Sequence, residues 1–156
     1  MLARDDPERA QHELDGRVWE SPEGTFHLQH WYELRAIVER QIYLGELAGA
    51  GERVDAALKG LARSLLLRVQ VVRTEVRWLR GRVALLEGQD ALAAKMARLV
   101  EHEQAPFGHV WGALLRAGVR AASGDKAGAA AALEAVIAAA EKPPMPLCAA
   151  MARRRR

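Results

Sequence analysis

Between Leu65 and Gly88 the chain reads LLLRVQVVRTEVRWLRGRVALLEG, and two apolar rows run through it with a single rhythm. The first row is Leu65, Val69, Val72, Val76, Leu79, Val83 and Leu86, in steps of four and three. The second is Leu67, Val71, Thr74, Trp78, Gly81 and Leu85, displaced by two residues. An α-helix turns about 100° per residue, so this displacement sets the second row on nearly the opposite side. A helix apolar on two sides has to lie between neighbours, which restricts the chain to layered helical packing. Gln70, Arg73, Arg77, Arg80 and Glu87 fill one flank of this helix, and Arg68, Glu75 and Arg82 fill the other.

The composition agrees with helices. Half the residues are hydrophobic but only 5% are aromatic, so the core is expected to consist mainly of Leu, Val and Ala. Ala and Leu lead the helix propensity scale, and alternating β-branched runs are missing. At 156 residues the length suits one domain, which can bury roughly two-thirds of its unfolded surface. The net charge of +3 is concentrated at one end. Without Arg153, Arg154, Arg155 and Arg156 the 23 basic residues fall to 19, against 20 acidic ones. The body is therefore nearly neutral, unlike a domain with a basic face for nucleic acid. A single cysteine, Cys148, excludes an intrachain disulfide framework or a cysteine zinc site. The opening MLARDDPERA carries acid and has no apolar core, so it does not read as a signal peptide. No apolar run reaches about 18 residues, the length that would span a membrane. The expectation is a soluble cytoplasmic protein.

Punctuation by Gly, Pro and capping residues divides the chain into helices. Residues 1–24 form a polar segment and loop, with one short helix after Asp6-Pro7 and Trp19 as a plug over the first core layer. Residues 25–156 form a helical-repeat domain. Thr25 is expected to cap a helix running to Leu44 and ended by Gly45, and a further helix covers Glu52 to Ala62. Ser64 is the expected N-cap of the central helix. Asp90 then opens a helix to His102, closed by Ala105-Pro106, and another runs from Phe107 to Ala122. Asp125 opens a helix to Glu141 in which nine of the fourteen residues from Ala127 to Ala140 are alanine, a composition suited to close helix approach. Pro143-Pro144 stops it, and Pro146 starts a short terminal segment.

Read in pairs, these helices repeat. Gly81 and Gly118 stand 37 residues apart, as do Pro106 and Pro143. Paired helices with a period in the mid-thirties are the mark of an α-solenoid. The tetratricopeptide pattern places a glycine in the first helix, a small residue twelve later and a proline after the second helix. Gly81, Ala93 and Pro106 are similar to it, as are Gly118, Ala130 and Pro143, although Ala84 and Ala97 stand where that pattern has large aromatics. The expected fold is all-α: a tetratricopeptide-like α-solenoid of about three helical hairpins plus a short C-terminal cap helix. Gly81 becomes its close-contact position, where a large side chain would be poorly tolerated.

Three stretches carry a further likeness: FHLQHWYELRAIVERQIYLGE, LARSLLLRVQVVRTEVRWLRGRVAL and WGALLRAGVRAASGDKAGAAAALEAVIAAAE. They resemble the helical C-terminal region of bacterial serine/threonine protein kinases of myxobacterial type, over roughly Gly24 to Arg155. The kinase signatures themselves (the Gly-rich loop, HRD and DFG) do not occur. The resemblance implies a regulatory or partner-binding array without phosphoryl-transfer activity.

No residue set here demands a reaction. His27, His30 and Glu33 share a three-residue spacing, but a metal needs three or four converging ligands and a second shell. Glu101, His102, Glu103 and His109 flank the Pro106 turn and read as a solvated corner. Ser21, Ser64 and Ser123 are loop or cap positions, Cys148 is a packed or surface thiol, and Gly49 to Gly51 is a turn. No catalytic, cofactor or metal residues are assigned. The best binding candidates are Arg73, Arg77 and Arg80, whose guanidinium groups stack along one side and could clamp an acidic peptide. The competing account is that they are solvated or pair with acids of adjacent helices. The expected function is a non-catalytic protein–protein interaction module with a protein or peptide partner, acidic if the arginine row binds it. The alternatives are a nucleic-acid-associated protein acting through Arg153, Arg154, Arg155 and Arg156, and a small-molecule-binding helical sensor.

Overall fold

The structure, a computed structural model, describes residues 5–16, 24–141 and 145–155. Trp19, Ser21, Pro143, Pro144 and Arg156 lie outside the described residues. Among those described the chain is all-α, with eight α-helices and no strand. They are α1 (Pro7–Asp15), α2 (Leu28–Leu44), α3 (Ala50–Arg63), α4 (Gln70–Leu86), α5 (Asp90–Glu101), α6 (Pro106–Ala122), α7 (Lys126–Ala139) and α8 (Pro146–Arg155). One 3-10 turn, Leu66–Arg68, stands between α3 and α4. The chain divides into two compact units, Met1–Val69 and Gln70–Arg156.

In the first unit α1 packs on α2 and α2 on α3. The Asp6 carboxylate accepts the Arg9 N–H, and Pro7 occupies the first turn, where its missing N–H costs nothing. The Tyr43 hydroxyl donates to Asp5, and Arg40 Nε donates to the Pro7 carbonyl at 3.3 Å, so α2 holds both sides of the α1 start. Thr25 does not cap α2. His27 is the N-cap residue, its N–H donating to His30 Nδ1 at 2.8 Å, while Thr25 Oγ1 lies 2.6 Å from His27 Nε2. The core of this unit is Trp31, Val38, Ala50, Val54, Ala57 and Leu61. Gly60 lets the Phe26 ring lie directly against α3, since a Cβ there would collide with that ring.

The expected start of the central helix at Ser64 is corrected. Ser64 is the C-cap residue of α3, with its N–H donating to the Gly60 carbonyl and its hydroxyl to Leu61 O at 3.2 Å. Leu65 then adopts a left-handed backbone (φ 63°), Val69 is extended, and α4 begins only at Gln70. A left-handed β-carbon residue costs of order 1 kcal/mol, so only surrounding structure holds it there. The apolar rows are buried in their middle and exposed at their ends. Val72, Thr74, Val76, Leu79, Gly81 and Val83 are buried, whereas Leu65, Val69, Val71 and Leu86 are exposed. The fully buried Thr74 hydroxyl is satisfied by the Gln70 carbonyl one turn back, at 2.8 Å.

In the second unit each helix from α4 to α8 packs on the next, α4 also packs on α6, and α6 touches α8. Gly81 of α4 and Gly118 of α6 set the α4–α6 approach. An added Cβ on Gly81 would stand 2.7 Å from Leu115 Cδ1, and one on Gly118 would stand 2.7 Å from Leu85 Cδ1. Each helix thus sends a leucine into the other's glycine, and the two glycines are the pair 37 residues apart. Asp125 caps α7 through the Gly128 N–H at 2.8 Å. Asp90 is the first residue of α5 rather than its cap, that place belonging to Gln89. The alanine-rich α7 buries Ala129, Leu133 and Val136, and α8 closes the unit with Cys148, Ala149 and Ala152.

Candidate functional site

The arginine row lies on the α4 flank that faces the α5–α6 corner, and its charge is engaged within the unit. Arg73 grips Glu103 with both ends of its fork, Nε on Oε1 and Nη2 on Oε2. Arg77 Nη1 donates to the same Oε1 and to the Leu99 carbonyl at 3.3 Å. Gln70 Nε2 donates to the Glu103 carbonyl. Arg80, almost fully buried, has Nη2 3.3 Å from Gln89 Oε1 and Nη1 3.5 Å from Glu87 Oε2. The three guanidinium groups therefore pin α4 to the start and end of α5. A partner's acid would have to displace Glu103, whose side chain is only 5% exposed, to use Arg73 and Arg77.

Of the expected solvated corner, His102 and His109 are exposed, Glu101 is partly buried, and Glu103 is the correction, being buried. Gln104 takes a left-handed backbone (φ 53°) just past α5, and the chain reversal turns Glu103 back onto α4. The Arg73 hydrogen bonds hold the Glu103 carboxyl below the usual range, helped by the charges of Arg77, Arg73 and His102 and opposed by burial. Glu101 instead pairs with Arg116 at 2.9 Å. Among the described residues no group of three or more His, Cys, Asp or Glu is placed to hold a metal ion. Burial pushes the Cys148 thiol up, only partly offset by a hydrogen bond from Trp111, which disfavours the thiolate that a nucleophile requires.

A groove of about 360 Å³ opens in the second unit where α4, α6, α7 and α8 meet. Its apolar wall is Trp78 and Leu85 of α4, Leu114 of α6, Leu133 of α7 and Met151 of α8. The space exists because Ala117, Gly118, Ala121, Ala129 and Ala130 present little or no side chain to it. Trp78 is set by stacking on Trp111 (centroids 5.4 Å apart), which in turn meets Phe107 at 4.8 Å. Three cations border the opening: Arg82, Lys126 and Arg155. Arg82 lies over the Trp78 ring at 5.6 Å. Among the described residues no acidic side chain lines the groove.

The groove is not evident in sequence, because its lining comes from four helices and most of it is alanine and leucine. Of the described terminal arginines, Arg153, Arg154 and Arg155 form the exposed last turn of α8, where positive charge suits the helix end, and Arg155 lines the groove. Among the described residues no helix is long and apolar enough to cross a membrane. No family model, curated protein or solved structure matches the chain.

Proposed function

We propose that the chain is a non-catalytic protein–protein interaction module of tetratricopeptide-like type, acting in bacterial serine/threonine kinase signalling. The observation that carries the repeat reading is the reciprocal seating of Leu115 on Gly81 and Leu85 on Gly118. It joins corresponding helices of successive hairpins at a spacing of 37 residues, as stacked repeat units that contact only their neighbours would be joined. The kinase connection rests on the likeness of the helical text to kinase tails. The arginine row is given a structural part in this proposal, since Arg73 and Arg77 share the Glu103 carboxylate. Partner capture therefore depends on surface outside that row.

The test is capture from a lysate at low and high salt, using the full chain and a variant lacking residues 153–156. Retention of the same proteins at high salt by both forms, with a serine/threonine kinase or its substrates among them, is the expected result. Capture that disappears with the terminal arginines, or that consists of nucleic acid, would overturn the proposal in favour of the tail-driven alternative.

A further inference from the structure

We propose that the α4–α6–α7–α8 groove binds a small amphipathic carboxylate, its apolar chain along Trp78, Leu85, Leu114 and Leu133 and its carboxylate among Arg82, Lys126 and Arg155. This goes beyond the interaction-module proposal and does not depend on it. A volume of about 360 Å³ lies within the range of small-ligand sites, which run from about 300 to 1,000 Å³. The polar groups of its described lining side chains select the ligand class, because apart from the weakly accepting Met151 sulfur they are donors: two guanidinium groups, one ammonium and one indole N–H. A peptide would bring backbone N–H groups to a wall whose described side chains offer no oxygen acceptor, and each buried unpaired donor costs about 1–3 kcal/mol. A carboxylate brings acceptors only, and an alkyl or aryl body brings nothing that needs pairing. The charge is complementary as well, since three cations and, among the described residues, no carboxylate line the groove. Arg82 is held over the Trp78 face, so its planar fork is ordered before a ligand arrives. Lys126 opens α7 and Arg155 ends α8, two exposed positions from which charge can be removed without disturbing the core.

The probe is dodecanoate, titrated into the full chain below its micelle concentration and followed by tryptophan fluorescence and calorimetry. The expected result is saturable one-to-one binding, at least about tenfold tighter than for dodecanol or dodecylamine, as a charge-assisted bond requires. Lys126→Gln combined with Arg155→Gln should weaken dodecanoate by about tenfold or more and leave dodecanol unchanged. Ala130→Leu should fill the groove and abolish binding with the helical circular dichroism retained; if that variant does not fold, Ala121→Leu on exposed α6 surface replaces it. Several results would overturn the proposal. These are no binding by the wild type, equal binding of the amine, or an unchanged affinity in the charge-removed variant. It falls equally if dodecanoate is inert while an acidic leucine-rich peptide binds and Ala130→Leu blocks it. It also falls if the chain forms a dimer in light scattering that Ala130→Leu disperses, which would assign the groove to a second copy.

Discussion

Glu103→Gln is expected to destabilise the second unit by about 2–3 kcal/mol near neutral pH, below the 3–5 kcal/mol of a fully buried pair because the arginines keep access to water. The side chains of Arg73 and Arg77 are about a quarter exposed (28% and 26%), whereas that of Glu103 is 5% exposed. Glutamine keeps the shape and removes the charge, leaving two guanidinium groups facing each other with a weaker acceptor between them. The pH dependence identifies the cause. Because the folded state lowers the Glu103 pKa, its contribution is complete above the ordinary glutamate value and is lost as pH falls through the depressed one. The gap between wild type and Glu103→Gln in urea midpoints should therefore narrow as pH is lowered through that window. A gap below about 0.5 kcal/mol at neutral pH, or one that does not change with acidification, would show the cluster to be an ordinary surface pair. Arg77→Glu should cost at least as much, since it sets two carboxylates side by side. Loss of fold in that variant marks the row as structural, and an intact fold with lost capture of an acidic peptide would return it to the binding role.

The second large effect is at Gly81. In an open helix Gly→Ala gains about 1 kcal/mol, so the sign of the change reports on space. At Gly81 the new methyl would meet Leu115 Cδ1 at 2.7 Å and Met96 Cβ at 3.1 Å. Leu115 is 1% exposed and packed among buried neighbours, and Met96 would be met at its Cβ, next to its backbone. Gly81→Ala is therefore expected to cost a net of about 1–3 kcal/mol, the usual penalty of overpacking. At Gly118 the obstacle is the end of Leu85, a half-buried side chain beside the groove that can turn away, so Gly118→Ala should be close to neutral. Chemical denaturation of both variants tests the contrast, and Leu115→Ala is the control. In that background Gly81→Ala should become neutral or stabilising. If the penalty persists without the leucine methyls, the collision is not its cause and the proposed interlock fails.

The glycine spacing was legible in the sequence because close helix approach has a residue-level signature: only the loss of Cβ permits it. The two-sided helix was legible for the same kind of reason, as periodicity reports burial. Its start was not. Leu65 turns the chain with a left-handed backbone although it carries a β-carbon, and a reader looking for Gly or Pro passes over it. Asp125 could be assigned as a cap because Asp accepts N–H groups at that position, whereas Ser64 satisfies the same preference at the opposite end of a helix. Glu103 could not be paired with Arg73 and Arg77 in advance, since they stand 30 and 26 residues apart and meet only through the turn at Gln104. The groove was the least visible feature. Alanine and glycine announce nothing about whether the space they leave is filled by a neighbour or stays open.

The alanine composition of α7 has a consequence for how the second unit comes apart. An alanine loses no side-chain rotamers on burial, so α7 is ordered at little entropic cost, but each methyl also removes little area from water. Among the described residues α7 is followed by α8, whose buried residues are Cys148, Ala149 and Ala152. The Val-rich and Leu-rich seam of α4 to α6 has no such weakness, so opening should begin at α7 and α8 and proceed inward. In native-state hydrogen exchange their amides should exchange together well before those around Val76, Leu79 and Val83. A single exchange front for the whole unit would instead show that these small side chains are as firmly coupled to it as the leucines.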